Sequence, residues 1–311
     1  MLALRTLLAH IVDYAGLFPP AGLAMAPAVR RHAAYRGADA RWMLGRFVVP
    51  VARLEEFEAA AGALLPTNAE PPDAPEPWTL SALVGADAAA DLRAVVAFNA
   101  RHAPGMEGGR ALIDALEAKA AAPDDVARLA DALTHAGLVD VASLYVELPW
   151  GAPAAPYAEV AAARGVRLKL RTGGVTPDAF PPPETVLAFL VACAAHDVAG
   201  KCTAGLHHPL RSERALTYEP DCARGTMFGF VNLFLAAALL HAGHAPADVA
   251  PLLEERDAAT IAFDDAGAEW RGLRTSVADI AATRAHRLVA FGSCSFEEPM
   301  HDLQSLGWWP G

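Results

Sequence analysis

Ionisable residues recur inside four successive apolar runs of this chain, and their spacing is the first feature that could do chemistry. Glu117 and Lys119 close one run, Tyr145 and Glu147 the next, and Lys169 and Arg171 the third. Lys201 stands in a fourth. A parallel strand is buried on both faces and reads as nearly continuous apolar sequence, so charge within it must be paired or used. Residues two apart in a strand share a face, which puts Glu117 with Lys119 and Lys169 with Arg171. For any one of these residues a strand-end salt bridge is a sufficient account. The recurrence across four runs, with both signs present, points instead to a shared site.

Lysine has two uses in such a place. A lowered pKa frees the amine to attack a carbonyl and form a Schiff base, whereas a charged lysine stabilises a carboxylate, enolate or phosphate oxygen. Lys201 is the first nucleophile candidate, with Lys169 and Arg171 expected to depress its pKa, and Lys169 is its rival. Glu147 or Glu117 would then move protons, and Tyr145 would assist by hydrogen bonding. Arg171 suits a substrate carboxylate because its donors match two oxygens, and Lys119 adds a second cation.

Loops next to these runs offer further contacts. Thr172, Gly173 and Gly174 in "RTGGVTP" can present a hydroxyl and backbone N–H groups to an anion, or form a plain turn. The segment has neither Walker nor dinucleotide-binding spacing. His207 and His208 open a long connection, and adjacent residues on extended chain point opposite ways, so one would face a cavity while the other braces the loop. Asn232, inside the apolar "FGFVNLF", either pairs buried backbone or reaches substrate. Asp13 and Tyr14 in "DYAGLFPPAG" are offered to a pocket or pack over one end of the body. Ser293, Ser295 and Glu297 close the same end or cap the final helix. A metal site built from Glu117, Glu147, His207 or His208 and Asp264 is the catalytic alternative. It has no HExxH-like spacing, and the lysines oppose a divalent cation, so no cofactor is favoured although a divalent metal is possible.

The elements that must position these groups alternate. Strand-like segments at 45–50, 78–85, 110–121, 141–150, 166–174, 199–205, 259–265 and 287–295 are separated by stretches of helical period, with a repeat near thirty residues. Eight strands predict a single (β/α)8 TIM-like barrel over 1–311, with 1–44 as an N-terminal helical and loop extension packed on it. A doubly wound open α/β sheet is the alternative. The proline-rich stretch at 65–77 reads as an exposed connection within one domain.

Composition bounds the function. The 311 residues are 54% hydrophobic, which excludes disorder, and carry a net charge of −11, which argues against nucleic-acid or anionic-membrane partners while allowing a local anion site. Four cysteines without a CxxC pair indicate neither a zinc knuckle nor a disulfide scaffold. The opening run is interrupted by His10 and Asp13 and makes a poor signal sequence, and the apolar run at 228–243 reads as a buried helix. The chain therefore reads as a cytoplasmic enzyme and a candidate homo-oligomer. It would act on a small anionic carbonyl-containing metabolite by lysine-centred lyase, aldolase-like or isomerase chemistry. A metal-assisted isomerase or lyase and a non-catalytic small-anion binding protein are the alternatives.

Overall fold

The computed structural model describes residues 1–67, 76–106 and 108–309, so most of the proline-rich connection lies outside the described residues. Thirteen strands are found among the described residues. In chain order these are β1 (Val12–Tyr14), β2 (Leu44–Pro50), β3 (Trp78–Leu83), β4 (Ala111–Lys119), β5 (Ser143–Glu147), β6 (Arg167–Arg171) and β7 (Gly200–Thr203), then β8 (Ser212–Ala215), β9 (Arg224–Met227), β10 (Ile261–Phe263), β11 (Gly267–Trp270), β12 (Leu273–Ser276) and β13 (Leu288–Ser293). The first seven and β13 pair in parallel and close into a barrel, β1 meeting β13 on one side and β2 on the other. The chain is thus a (β/α)8 barrel, and closure overturns the open-sheet alternative.

The count of eight staves holds, but one member differs from expectation. The segment at 259–265 does form a strand, yet β10 pairs antiparallel with β11 and, through it, β12 in a small separate sheet. Its place in the barrel is taken by β1, from the 1–44 stretch expected to lie outside as an extension. Strand composition is local information, and partner choice is not. β1 is only three residues long and follows the helix Leu2–Leu8, so its apolar residues read as a continuation of that helix.

Helices wrap the barrel by burying one stripe each. Pro123–His135 shows the logic: proline opens the first turn, Asp125 accepts from the N–H groups of Ala121 and Ala122, and Val126, Ala130 and Leu133 form the buried stripe. The helix Phe230–His241 is instead buried around most of its circumference, which accounts for the long apolar run. No helix among the described residues is long and apolar enough to cross a membrane.

The barrel interior carries charge as well as apolar groups. In its lower half Arg46 makes a bidentate pair with Asp114 at 2.7 and 2.8 Å, and Arg167 donates to the Tyr145 hydroxyl at 2.8 Å. Above these, at the carboxyl ends of the staves, the β8–β9 hairpin and the loop following β1 contribute Leu216, Met227, Phe18, Pro19 and Pro20 to the walls of a cavity of about 280 Å³.

Candidate active site

Five charged side chains from five staves meet at the floor of that cavity. β4 turns Glu117 inward, β5 Glu147, β6 Lys169, β7 Lys201 and β1 Asp13, and all five are buried. Lys169 Nζ donates to Glu117 Oε2 and Glu147 Oε2, each at 2.6 Å. Lys201 Nζ donates to Asp13 Oδ2 and Glu117 Oε1, also at 2.6 Å each. Ser81 on β3 donates to Glu117 Oε1 at 2.7 Å, so that carboxylate is shared among three donors. The register explains the meeting, because Glu147, Lys169 and Lys201 are direct partners across β5, β6 and β7.

Asp13 is fixed from below. Its Oδ1 accepts the backbone N–H of Arg46 at 2.8 Å, and a side-chain carbon at Gly45 would lie 2.5 Å from the same oxygen. Only glycine at position 45 lets the carboxylate approach β2 this closely. Tyr14, the next residue, points to the other face of the strand and joins the rings of His32, Tyr35 and Phe47. Of the pair offered to a pocket, Asp13 belongs to the charge cluster and Tyr14 to the outer packing.

The electrostatics reverse one expectation. Burial disfavours the Lys201 ammonium, but Asp13 and Glu117 outweigh it and hold the group above the ordinary lysine range. The expected depression of Lys201 by Lys169 and Arg171 does not occur, since its two contacts are carboxylates and Arg171 sits exposed at the mouth. Burial likewise raises the Glu117 carboxyl, yet the two ammonium groups prevail and hold it well below the carboxylate range.

The two lysines differ in access. Lys169 lines the cavity together with Glu117, Glu147, Lys119 and Arg171, whereas Lys201, only 1% exposed, is sealed beneath with its ammonium 5.2 Å from the centre of the Tyr145 ring. Tyr145 is not on the cavity wall, and its hydroxyl is occupied by Arg167. Lys119 and Arg171 stand at the mouth, and among the described residues neither makes an ion pair. A wider groove of about 700 Å³ between β3, β4 and β5 shares Lys119, Glu147 and Lys169 with the cavity.

The glycine segment after β6 divides its labour. Thr172 donates to the carbonyls of Ala204 and Thr203 at 2.8 and 3.2 Å and so ties two loops together. Gly173 packs against Gly205, where an added side-chain carbon would lie 2.9 Å from the opposing Cα and closer still to the Phe180 ring. Gly174 alone of the three faces the cavity. Asn232 is not a substrate contact: it donates to the carbonyls of Leu252 and Glu255 and accepts from the Arg211 N–H, pairing buried backbone.

The adjacent histidines separate as extended chain requires. His207 lines the cavity and its Nδ1 donates to Glu298 Oε2 at 2.8 Å, while His208 donates to Asp302 at 2.7 Å and lies off the wall. Asp264 is remote from both, in an exposed turn where it accepts from the N–H groups of Ala266 and Gly267 and its own carbonyl accepts from Ala3. Of the metal alternative, Glu117, Glu147 and His207 line one cavity, and Asp264 does not join them. No group of three or more His, Cys, Asp or Glu among the described residues is arranged to hold a metal ion.

Ser81, Thr203 and Glu298 complete the surroundings without having been singled out, and Asp13, offered to a pocket from its loop, was not grouped with the charged strands. Asp13 carried the same signal as the others, a charge inside a buried strand, but its strand was too short to read. No known family model matches the chain, and no curated protein is similar to it at a significant level.

Proposed function

We propose that this barrel is a lysine-centred lyase, aldolase-like or isomerase enzyme acting on a small anionic carbonyl compound, with Lys169 as the nucleophile. The observation that carries the reading is the position of Lys169 on the cavity wall, 2.6 Å from Glu147, with Lys201 held beneath it as a permanent cation. Transfer of a proton from Lys169 to Glu147 frees the amine. The amine then adds to the substrate carbonyl, and Glu147 returns the proton as water leaves to form an iminium ion. That ion accepts the electron pair of a neighbouring C–C or C–H bond.

Three carboxylates and two ammonium groups leave the cluster one negative charge in excess, so moving a proton from Lys169 to Glu147 leaves its net charge unchanged. Lys201 helps keep Glu117 ionised and holds Asp13 in place. Arg171 and Lys119, without acidic partners among the described residues, suit the carboxylate or phosphate of the substrate. The cavity holds roughly nine water volumes at ~30 Å³ each, which suits a small metabolite.

Borohydride reduction in the presence of 2-keto acids, hydroxy keto acids and sugar phosphates tests the reading. The expected result is a reduced adduct whose mass maps to Lys169. A compound that turns over yet leaves no adduct sinks the Schiff-base step. Binding of such compounds without turnover or adduct selects the alternative of an anion-binding protein, and an adduct on Lys201 overturns the choice of nucleophile.

A further inference from the structure

Cleavage or isomerisation through an iminium ion needs two proton transfers away from the nitrogen. A base takes a proton from the substrate hydroxyl or carbon, and an acid later returns one to the enamine carbon. Glu147 lies beside Lys169 and serves the nitrogen. The β7 and β13 side of the mouth holds a different pair. His207, 6% exposed, lines the cavity, and its Nδ1 donates to Glu298 on the helix Glu297–Ser305 at 2.8 Å, with Ser293 Oγ at 3.5 Å. A carboxylate can only accept, so this bond keeps a proton on Nδ1, and in the neutral ring Nε2 is then the acceptor. Among the described residues Nε2 makes no hydrogen bond and is not a sealed polar atom, and the residue that carries it lines the cavity. Tyr218, from the loop of the β8–β9 hairpin, lies beside the same Glu298, its hydroxyl 3.8 Å from Cys294 Sγ on the cavity wall.

We infer that His207, held in one tautomer by Glu298, is a second acid–base residue of this site and acts on the end of the substrate remote from Lys169. The assignment rests on the lysine-centred reading and adds its second proton carrier. In a retro-aldol turnover Nε2 takes the proton of the β-hydroxyl as the Cα–Cβ bond breaks. The bond pair passes into the iminium to give the enamine, and the first carbonyl product forms. The imidazolium then returns the proton to the enamine carbon, and water hydrolyses the resulting iminium to release the second product. Protons and electrons balance without any other reactant.

Two measurements on the full-length protein decide it. In the ¹⁵N spectrum of histidine-labelled protein without substrate, His207 is expected with Nδ1 protonated and Nε2 bare, and Glu298→Ala shifts it toward the other tautomer. With a substrate that turns over, His207→Gln is expected to keep the borohydride adduct on Lys169 at the wild-type extent while product formation falls at least about a hundredfold. Turnover within about threefold of wild type, or a wild-type spectrum with Nε2 protonated, overturns the assignment. Loss of the adduct in His207→Gln alone also overturns it, because His207 would then serve imine formation. Absence of the adduct in the wild type strikes the lysine reading instead, and the turnover of His207→Gln on the same substrate still decides whether His207 carries protons.

Discussion

At the scale of single residues, the two lysines are separated by access to the cavity more than by their partners. Each sits between two carboxylates at 2.6 Å, but only Lys169 meets the cavity. Lys169→Met is therefore expected to remove the borohydride adduct and to lower turnover on the order of 10³-fold or more, with folding retained by circular dichroism. Glu117→Gln acts differently. It leaves two buried ammonium groups short of a shared counter-charge, and urea unfolding should show a loss of about 3–5 kcal/mol. Arg171→Ala removes a cation with no acidic partner among the described residues, so stability should hold while KM for an anionic substrate rises and kcat changes less. A drop in kcat with KM constant would remove Arg171 from substrate binding.

At the scale of elements, period-two spacing made the charged faces of β4, β5 and β6 legible, because alternation within a strand is a local property. The roles of Thr172, Gly173 and Asn232 were not legible. Each is spent on backbone from a loop or helix distant in sequence, and a polar side chain in an apolar context looks the same whether it serves substrate or backbone. The loops after β6 and β7 touch through Gly173 and Gly205, and Gly205 also has φ +68, which disfavours a side chain. Gly205→Ala should cost about 1–3 kcal/mol in thermal or urea unfolding. It should also raise KM, since Ala204, Gly205 and His207 share the cavity wall. Wild-type stability in that variant would show that the loops separate at no cost.

At the scale of the whole molecule, the buried charges set how stability varies with pH. Glu117 titrates below the ordinary carboxylate value of about 4.3, so its contribution is present above that value and is lost as pH falls through the folded value. Lys201 titrates above about 10.4, so its contribution is present below that value and is lost only as pH rises past its folded value. Outside the barrel wall His32 works on the acid side alone. It is fully buried among Tyr14, Phe47 and Trp78 with neither ring nitrogen bonded, and burial pushes it down to about 3. The unfolded chain binds a proton there near pH 6.5 that the folded protein refuses, so stability falls as pH falls through this window. Between pH 7 and pH 5 that single group accounts for about 2 kcal/mol. His32→Leu should lose correspondingly less stability over the same interval in urea titrations. An unchanged difference between the two pH values would mean that the imidazole finds a partner.

What the amino-acid sequence determined by itself was the kind of fold and most of the charged residues that meet inside it. Strand and helix periods repeat eight times, and charges stand where parallel strands should be apolar; both are statements about neighbours in the chain. The tertiary structure decided membership and pairing. β1 replaced the 259–265 segment as a stave, and its Asp13 reached Lys201 across 188 positions of sequence, turning the expected weak ammonium into a firmly charged one. The physical reason is closure of the sheet. A side chain's pKa and access depend on what lies within a few ångströms, and in a closed barrel those neighbours come from the other staves, whose identity local patterning does not encode.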